Sequence, residues 1–222
     1  MTTSSGRKGP ASKKTTTPAA ATVRRRTRAP QVRRAALLDA AEKLFLTHGV
    51  TTTSVEEIAA AAQVAKGTFY LYFKSRDAIL NALQQRFMSA FCVRIEQAQM
   101  ACEPKDWDAR LNAWFLCALE GLLGQVMLHD MLFHDVRPAD DRQLMANNPV
   151  IGQLTELLHA GVRAGAWELA DARSMAIMMF HAMHGLADEA VAQGKAEQRV
   201  SLAYQLAQTF GKALRPATAA AT

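Results

Sequence analysis

Twenty residues, SVEEIAAAAQVAKGTFYLYF at positions 54–73, limit this chain more than any other feature. Ser54, followed three positions later by Glu57, makes a capping box. Each side chain satisfies a backbone N–H of the other, worth on the order of 1 kcal/mol at a helix start. Val55, Ile58, Ala59 and Ala62 then recur at helical spacing as an inner stripe. Residues 63–65 form a short turn, and a second short helix covers about residues 66–73. Ser75 caps a longer helix that reaches past Glu96. The segment therefore predicts a helix-turn-helix.

The rest of the chain continues in the same style. A first helix is predicted over residues 31–48, with Leu37, Ala41, Leu44, Phe45 and His48 on one face and Gly49 at the stop position. Downstream helices are expected over residues 107–129, which carry Trp114, Phe115, Leu119 and Leu122, and more briefly over 131–136. Asn148–Pro149, a cap followed by proline at the first helical position, opens another to about Arg163, and Gly165 ends that turn. The last two run over about 171–193 and 197–214. Half the residues are apolar and 7% are aromatic, with abundant Ala and Leu and few β-branched runs, which favours helix over sheet. No strand pattern and no repeat is found. The expectation is an all-α chain of about nine helices, a three-helix helix-turn-helix domain followed by a larger helical domain.

Charge is distributed unevenly. Ten of the 26 basic residues lie within positions 1–34, and Asp39 is the first acid. The remaining sixteen face 20 acidic residues, so the body of the chain is mildly acidic and the excess of positive charge belongs to one end. That balance suggests a polyanionic partner there. Residues 1–30 are rich in Thr, Ala, Pro, Ser, Lys and Arg without an apolar period, and are expected to form a disordered basic arm. Residues 216–222 are expected to form a short disordered tail. Cys92, Cys102 and Cys117 are odd in number and match no metal or redox spacing, so they are read as reduced thiols. No stretch approaches the roughly 18 apolar residues of a membrane span, and no signal peptide is visible, so no membrane partner is expected. A cytoplasmic location is the expectation.

The second helix of the motif carries the chemistry. At about 100° per residue, Phe69 and Phe73 fall together and point inward, while Gly67 and Leu71 fall on the opposite side. Thr68, Tyr70 and Tyr72 flank them, and Lys66 occupies the first turn. Glycine, leucine and threonine between tyrosines make a poor solvated surface but suit a duplex groove. Gly67 allows close approach of the backbone, and Leu71 can touch a thymine methyl group. Lys66 can reach a base acceptor or a phosphate, and the hydroxyls of Thr68, Tyr70 and Tyr72 can donate to phosphates. Lys74 and Arg76 should neutralise phosphates, and Thr53 can offer its hydroxyl and a helix N-terminus to another. Arg24, Arg25, Arg26 and Arg28 precede the first helix. They form either a solubilising tail or an arm on phosphates or in the minor groove.

Residues 31–91 resemble the DNA-binding domain of the TetR family of bacterial regulators. The resemblance runs through Ala40, Ala41, Leu44, Phe45, Gly49, Thr53, Ile58, Ala59, Ala62, Val64, Lys66 to Tyr70, Tyr72 to Ser75, and Leu80. It implies DNA contacts at Thr53, Lys66, Gly67, Thr68, Tyr70, Leu71, Tyr72 and Lys74. The chain departs from the family pattern at Gln63, where glycine is usual, at Ala65, where a serine cap is usual, and at Phe69 and Arg76, which replace leucine and lysine. A positive φ at Gln63 would carry about 1 kcal/mol of strain.

Residues 92–215 resemble the family's ligand-binding and dimerisation domain through Ala160 to Trp167, Asp171–Ala172 and Gly185–Leu186. The resemblance implies a homodimer packed through its last two helices, with Met175, Met179, Ala182, Met183, Leu186 and Ala190 as the facing stripe. A twofold dimer implies double-stranded DNA with a pseudo-palindromic operator, its half-sites about 34 Å apart or a multiple of that. It also implies a repressor that an unidentified, hydrophobic small-molecule effector releases. Trp114, Phe115, Met127, Phe133, Met178, Phe180 and His181 are the candidates to line that effector's cavity. His129, Asp130, His134, Asp135, His181 and His184 invite a metal reading, but no Cys or Glu completes a recognised ligand set, so no metal or other cofactor is expected. The alternative reading is an effector-independent DNA-organising or division-control protein of the same fold. An enzyme ranks last, since no Gly-rich phosphate loop or nucleophile elbow appears.

Overall fold

The structure is a computed structural model that describes residues 19–134 and 147–215, with side chains from residue 30 onward. Among the described residues there are nine helices and no strand. They are α1 (Ala19–His48), α2 (Val55–Ala61), α3 (Lys66–Tyr72), α4 (Arg76–Met100), α5 (Trp107–Leu123), α6 (Val126–Phe133), α7 (Pro149–Arg163), α8 (Ala172–Ala192) and α9 (Arg199–Leu214), with a 3-10 turn at Ala196–Gln198 before α9. The chain is all-α.

Local chemistry sets most of the helix starts. Ser54 accepts from the Glu57 N–H at 3.2 Å, and Glu57 Oε2 accepts from the Ser54 N–H at 2.7 Å, so the capping box is closed on both sides. Asn148 Oδ1 accepts from the N–H groups of Val150 and Ile151, with Pro149 in the first turn as expected. Asp171 does the same for Arg173 and Ser174 at the start of α8.

Two features of α1 and one helix join differ from the sequence expectation. The first helix begins at Ala19, not at residue 31, and Pro30 lies inside it. Alanines and arginines are strong helix formers, so residues 19–30 continue the helix without an apolar stripe. The expected arm is therefore split: residues 1–18 lie outside the described residues, as do 135–146 and the tail 216–222. His48, expected on the inner face of α1, is exposed at its last turn. The long helix expected over 107–129 is two, α5 and α6, which meet at an angle of 83°. Leu123 ends α5 at Gly124, and α6 starts afresh at Val126. Apolar residues resume directly after Gly124–Gln125, so periodicity alone does not mark the break.

Two cores result. Leu37, Ala41 and Phe45 of α1, Ile58 of α2, Phe69 of α3 and Ile79 and Leu83 of α4 form the first. Phe91 and Ile95, further along the same α4, belong to the second, with Leu111, Trp114, Phe115 and Leu119 of α5, Leu154 and Leu158 of α7, Met179 and Met183 of α8 and Leu206 of α9. The expected boundary at residue 91 thus falls inside a continuous 25-residue helix. Helix α6 leaves the second domain and puts Met131 and Leu132 into the first core. There the buried Gln84 side chain donates to the Leu132 carbonyl at 2.6 Å. Arg86 of α4 fastens α1 as well, with one nitrogen 2.6 Å from Asp39 and another 2.7 Å from Glu42.

Within the second core, Gly161 is required by packing. A Cβ there would collide with the Trp167 ring, which lies buried against α7. The three cysteines are unpaired and half-buried, and burial raises the thiols of Cys92 and Cys117 above their ordinary range. Burial also holds the His184 imidazole down to about 4, and pushes His129 below its usual value.

Candidate nucleic-acid interface

Helix α3 stands on the first core through Phe69, which is fully buried, and Phe73, which follows its last turn. The two rings are 5.8 Å apart, and Tyr70 meets Phe69 edge-on at 5.5 Å. That anchor turns the opposite face of α3 outward. Leu71 is 82% exposed and Tyr70 49% exposed. An added Cβ at Gly67 would meet nothing within 4 Å, so no packing inside the protein demands glycine there. Lys66 and Lys74 are exposed at the two ends, Thr68 and Tyr72 are half-buried, and Tyr72 packs against the first core. The outward face predicted by angle counting is thus present as a contiguous surface.

The turn before α3 carries the expected strain. Gln63 has φ of 56°, and it is the one non-glycine residue with positive φ among those described. A side chain in that region costs on the order of 1 kcal/mol relative to glycine. Ala65 caps α3 with extended backbone but has no side chain to offer its N–H groups.

Two expected phosphate contacts are corrected. Thr53 is 1% exposed, and its hydroxyl donates to the Gly49 carbonyl at 2.8 Å. Its side chain closes the turn between α1 and α2 and does not face outward. Arg76 donates to the Thr51 carbonyl at 2.6 Å and lies 3.5 Å from that of Thr53. It ties the start of α4 to the loop before α2, so it organises the surface more than it extends from it.

Two further groups emerge only in three dimensions. Glu56, on the outer side of α2, forms an ion pair with Lys66. This hydrogen bond holds the Glu56 carboxyl below, and the Lys66 ammonium above, their usual ranges. The cation proposed to meet DNA therefore already holds an anion. Arg34 of α1 lies 5.3 Å over the Phe73 ring, which sets a further charge beside α3. A Glu ten residues before a Lys carries no helical signal of contact, and neither does an Arg thirty-nine residues before a Phe. Arg24, Arg25, Arg26 and Arg28 fall in the first turns of α1, and their side chains lie outside the described ones.

The seven candidate effector contacts do not come together. Trp114 and Phe115 are fully buried, 5.2 Å apart edge to face, and Phe210 of α9 stacks on Phe115 at 5.9 Å. Phe180 is buried against His184, and Phe133 is half-buried with its edge on Phe87. Met127 is 73% exposed, Met178 is 54% exposed, and His181 also points outward. The first four are packing residues of two different cores, and the other three are surface. The expected dimer stripe is corrected likewise. Met179, Met183 and Ala190 are buried within the protomer, and the outward side of α8 presents Ile177, Met178, His181 and Gly185. That face lies roughly 135° round the helix from the expected stripe.

The model of the bacterial regulatory proteins of the tetR family matches residues 37–83. The transcriptional repressor ComR of Escherichia coli K12 is 33% identical over 82 residues, 37% of this chain and 39% of ComR. The repressor DhaR of Mycobacterium sp. strain GP1 is 31% identical over 109 residues, 49% of this chain and 54% of DhaR. The match thus spans about half or less of the length of these curated relatives. Over the whole fold, the regulator FadR from Bacillus subtilis, solved in complex with stearoyl-CoA, superposes with a TM-score of 0.67 at 23% identity, covering 81% of this chain and 98% of that one. Residues 37–83, within the domain built on α1 to α4, match the tetR family of bacterial regulatory proteins.

Proposed function

We propose that this protein is a homodimeric, sequence-specific DNA-binding regulator of transcription, a repressor that a small-molecule effector releases from its operator. The observation that carries the reading is the outward face of α3. A glycine with open space in front of it stands beside a leucine that is 82% exposed, on a helix whose inner side is fully anchored. A soluble surface gains nothing from that combination, whereas a major groove accepts both. Tyr70, Thr68 and Lys74 surround the face with phosphate donors, and Lys66 is the base- or phosphate-reading cation once it leaves Glu56. Arg24, Arg25, Arg26 and Arg28 add charge upstream, on phosphates or in the adjacent minor groove.

The dimer is proposed through α8 and α9, by the exposed side that carries Ile177, Met178, His181 and Gly185 together with Tyr204 of α9. A twofold pair requires a pseudo-palindromic operator. Stearoyl-CoA in FadR supports an effector for this chain too. An effector acts by binding the DNA-incompetent conformation better, so it must bind the operator complex more weakly than the free protein. Selection of bound duplexes from a random library, followed by footprinting, tests the central reading. An enriched palindrome protected on one face of the helix is expected, and a protein that retains no duplex above its non-specific level refutes it. A second reading, an effector-independent DNA-organising protein, is favoured by the close packing of Trp114, Phe115 and Phe210. Genome-wide occupancy separates them, since a handful of promoter sites supports the repressor and dense coverage supports the organiser.

A further inference from the structure

Helix α6 ends in three groups that no part of the DNA-binding reading uses. Asp130 Oδ1 lies 3.6 Å from His129 Nδ1 and 3.4 Å from His134 Nδ1. One ligand atom from each of the three residues lies within 4.8 Å of the others. These separations exceed those of N–H···O hydrogen bonds, which run to about 3.2 Å. The 3.4 Å separation matches another spacing, and the 3.6 Å one is slightly longer. Two ligands about 2.0–2.1 Å from one tetrahedral cation are roughly 3.3–3.4 Å apart. By sequence alone the cluster lacks a Cys or Glu, but two imidazoles and a carboxylate are a sufficient ligand set, with one position left open.

The surroundings favour a cation. His184 of α8 has its ring centroid 5.9 Å from that of His129. Its Nδ1 is 2.9 Å from the Phe180 carbonyl, to which it can only donate, so its neutral ring keeps a lone pair on Nε2. Asp188, also on α8, bears on both His129 and His184 as a second negative charge. The Phe87 and Phe133 rings close the site from α4 and α6, at 6.3 and 5.2 Å from His129. His129 is nearly buried while His134 is half-exposed, which leaves an entry from solvent.

We propose that His129, Asp130 and His134 bind one divalent transition-metal cation per protomer, of the zinc or cobalt class, where α6 meets α4 and α8. The ion draws the two imidazoles and the carboxylate onto one centre and so fixes the end of α6. That helix also supplies Met131 and Leu132 to the first core. Under the DNA-binding reading above, on which this consequence alone rests, the ion is an effector that acts through α6 on the placement of α3.

The test uses the full-length protein and cobalt(II) chloride. The wild type is expected to take up one Co2+ per protomer, with the visible absorption of a tetrahedral N/O site that zinc chloride abolishes. At a hundredfold excess over Kd, zinc should raise Tm by about 5–10 °C. His134→Ala and Asp130→Asn alter half-exposed side chains, so both should fold, and each should weaken cobalt binding at least tenfold and remove the Tm shift. His159→Ala, on the exposed side of α7, should leave both unchanged. No cobalt uptake by the wild type, or equal uptake by both site variants, overturns the site. Cobalt bound as proposed, with the affinity for a selected duplex unchanged by zinc, overturns the effector role alone.

Discussion

Replacing Gly67 with alanine separates structural from functional demand at the centre of the interface. A Cβ there meets no atom of the protein within 4 Å, so nothing has to move. Glycine in a helix costs about 0.5–1 kcal/mol relative to alanine, because its unfolded chain has more freedom to lose. Gly67→Ala should therefore stabilise the fold by about that amount, which in a domain of this size raises Tm by about 1–4 °C. On DNA the same methyl group stands between the backbone and the groove. Loss of one close contact costs about 1–3 kcal/mol, so affinity for a selected duplex should fall roughly 5- to 160-fold. Calorimetry or a thermal melt reads the first effect, and fluorescence anisotropy with a labelled duplex at fixed salt reads the second. A variant that is more stable and binds DNA as tightly as the wild type would falsify the placement of Gly67 at the groove. A lower Tm would refute the open space in front of it.

Glu56→Gln should free Lys66 from its ion pair, raise affinity for duplex DNA and steepen the log–log salt slope by up to about 1. A drop in affinity would show instead that Glu56 positions Lys66 for its contact. Ala65→Ser supplies the missing cap of α3 and should add about 0.5–2 kcal/mol in urea unfolding, and no gain would contradict the uncapped start. Replacing Arg24, Arg25, Arg26 and Arg28 together with alanine should weaken DNA binding at all sequences and flatten the salt slope by up to about 3–4. Unchanged affinity across a salt titration excludes the arm from the interface.

Features built within three or four residues are legible in the amino-acid sequence itself. The Ser54–Glu57 box, the Asn148–Pro149 start and the inward pairing of Phe69 with Phe73 all follow from spacing along one helix. The strain at Gln63 is legible only through the resemblance, which implies glycine at that position. What spacing misjudges depends on neighbours distant in sequence or on a break in the pattern. Thr53 carries a hydroxyl fit for phosphate, yet the Gly49 carbonyl takes it. Met179 and Met183 read equally well as a mate's contact or as core, and only the packing of α8 against α5 and α7 decides. The 83° turn between α5 and α6 hides behind apolar residues that stand on both sides of Gly124–Gln125. That turn brings His129 to His184, fifty-five positions away.

Helix α4 is rooted at both ends, by Ile79 and Leu83 in one core and by Phe91 and Ile95 in the other. Its 25 residues make a rod of about 37 Å with no interior proline at which to flex. Such a rod works as a lever. A tilt of about 5° at its seat in the second domain moves its far end by roughly 3 Å. In a twofold pair two such levers swing in opposite senses, and the gap between the recognition helices changes by roughly 6 Å against a helical repeat of about 34 Å. Under the proposed dimeric reading, small repacking around Phe91 and Ile95 is geared up into a mismatch with the pitch of DNA.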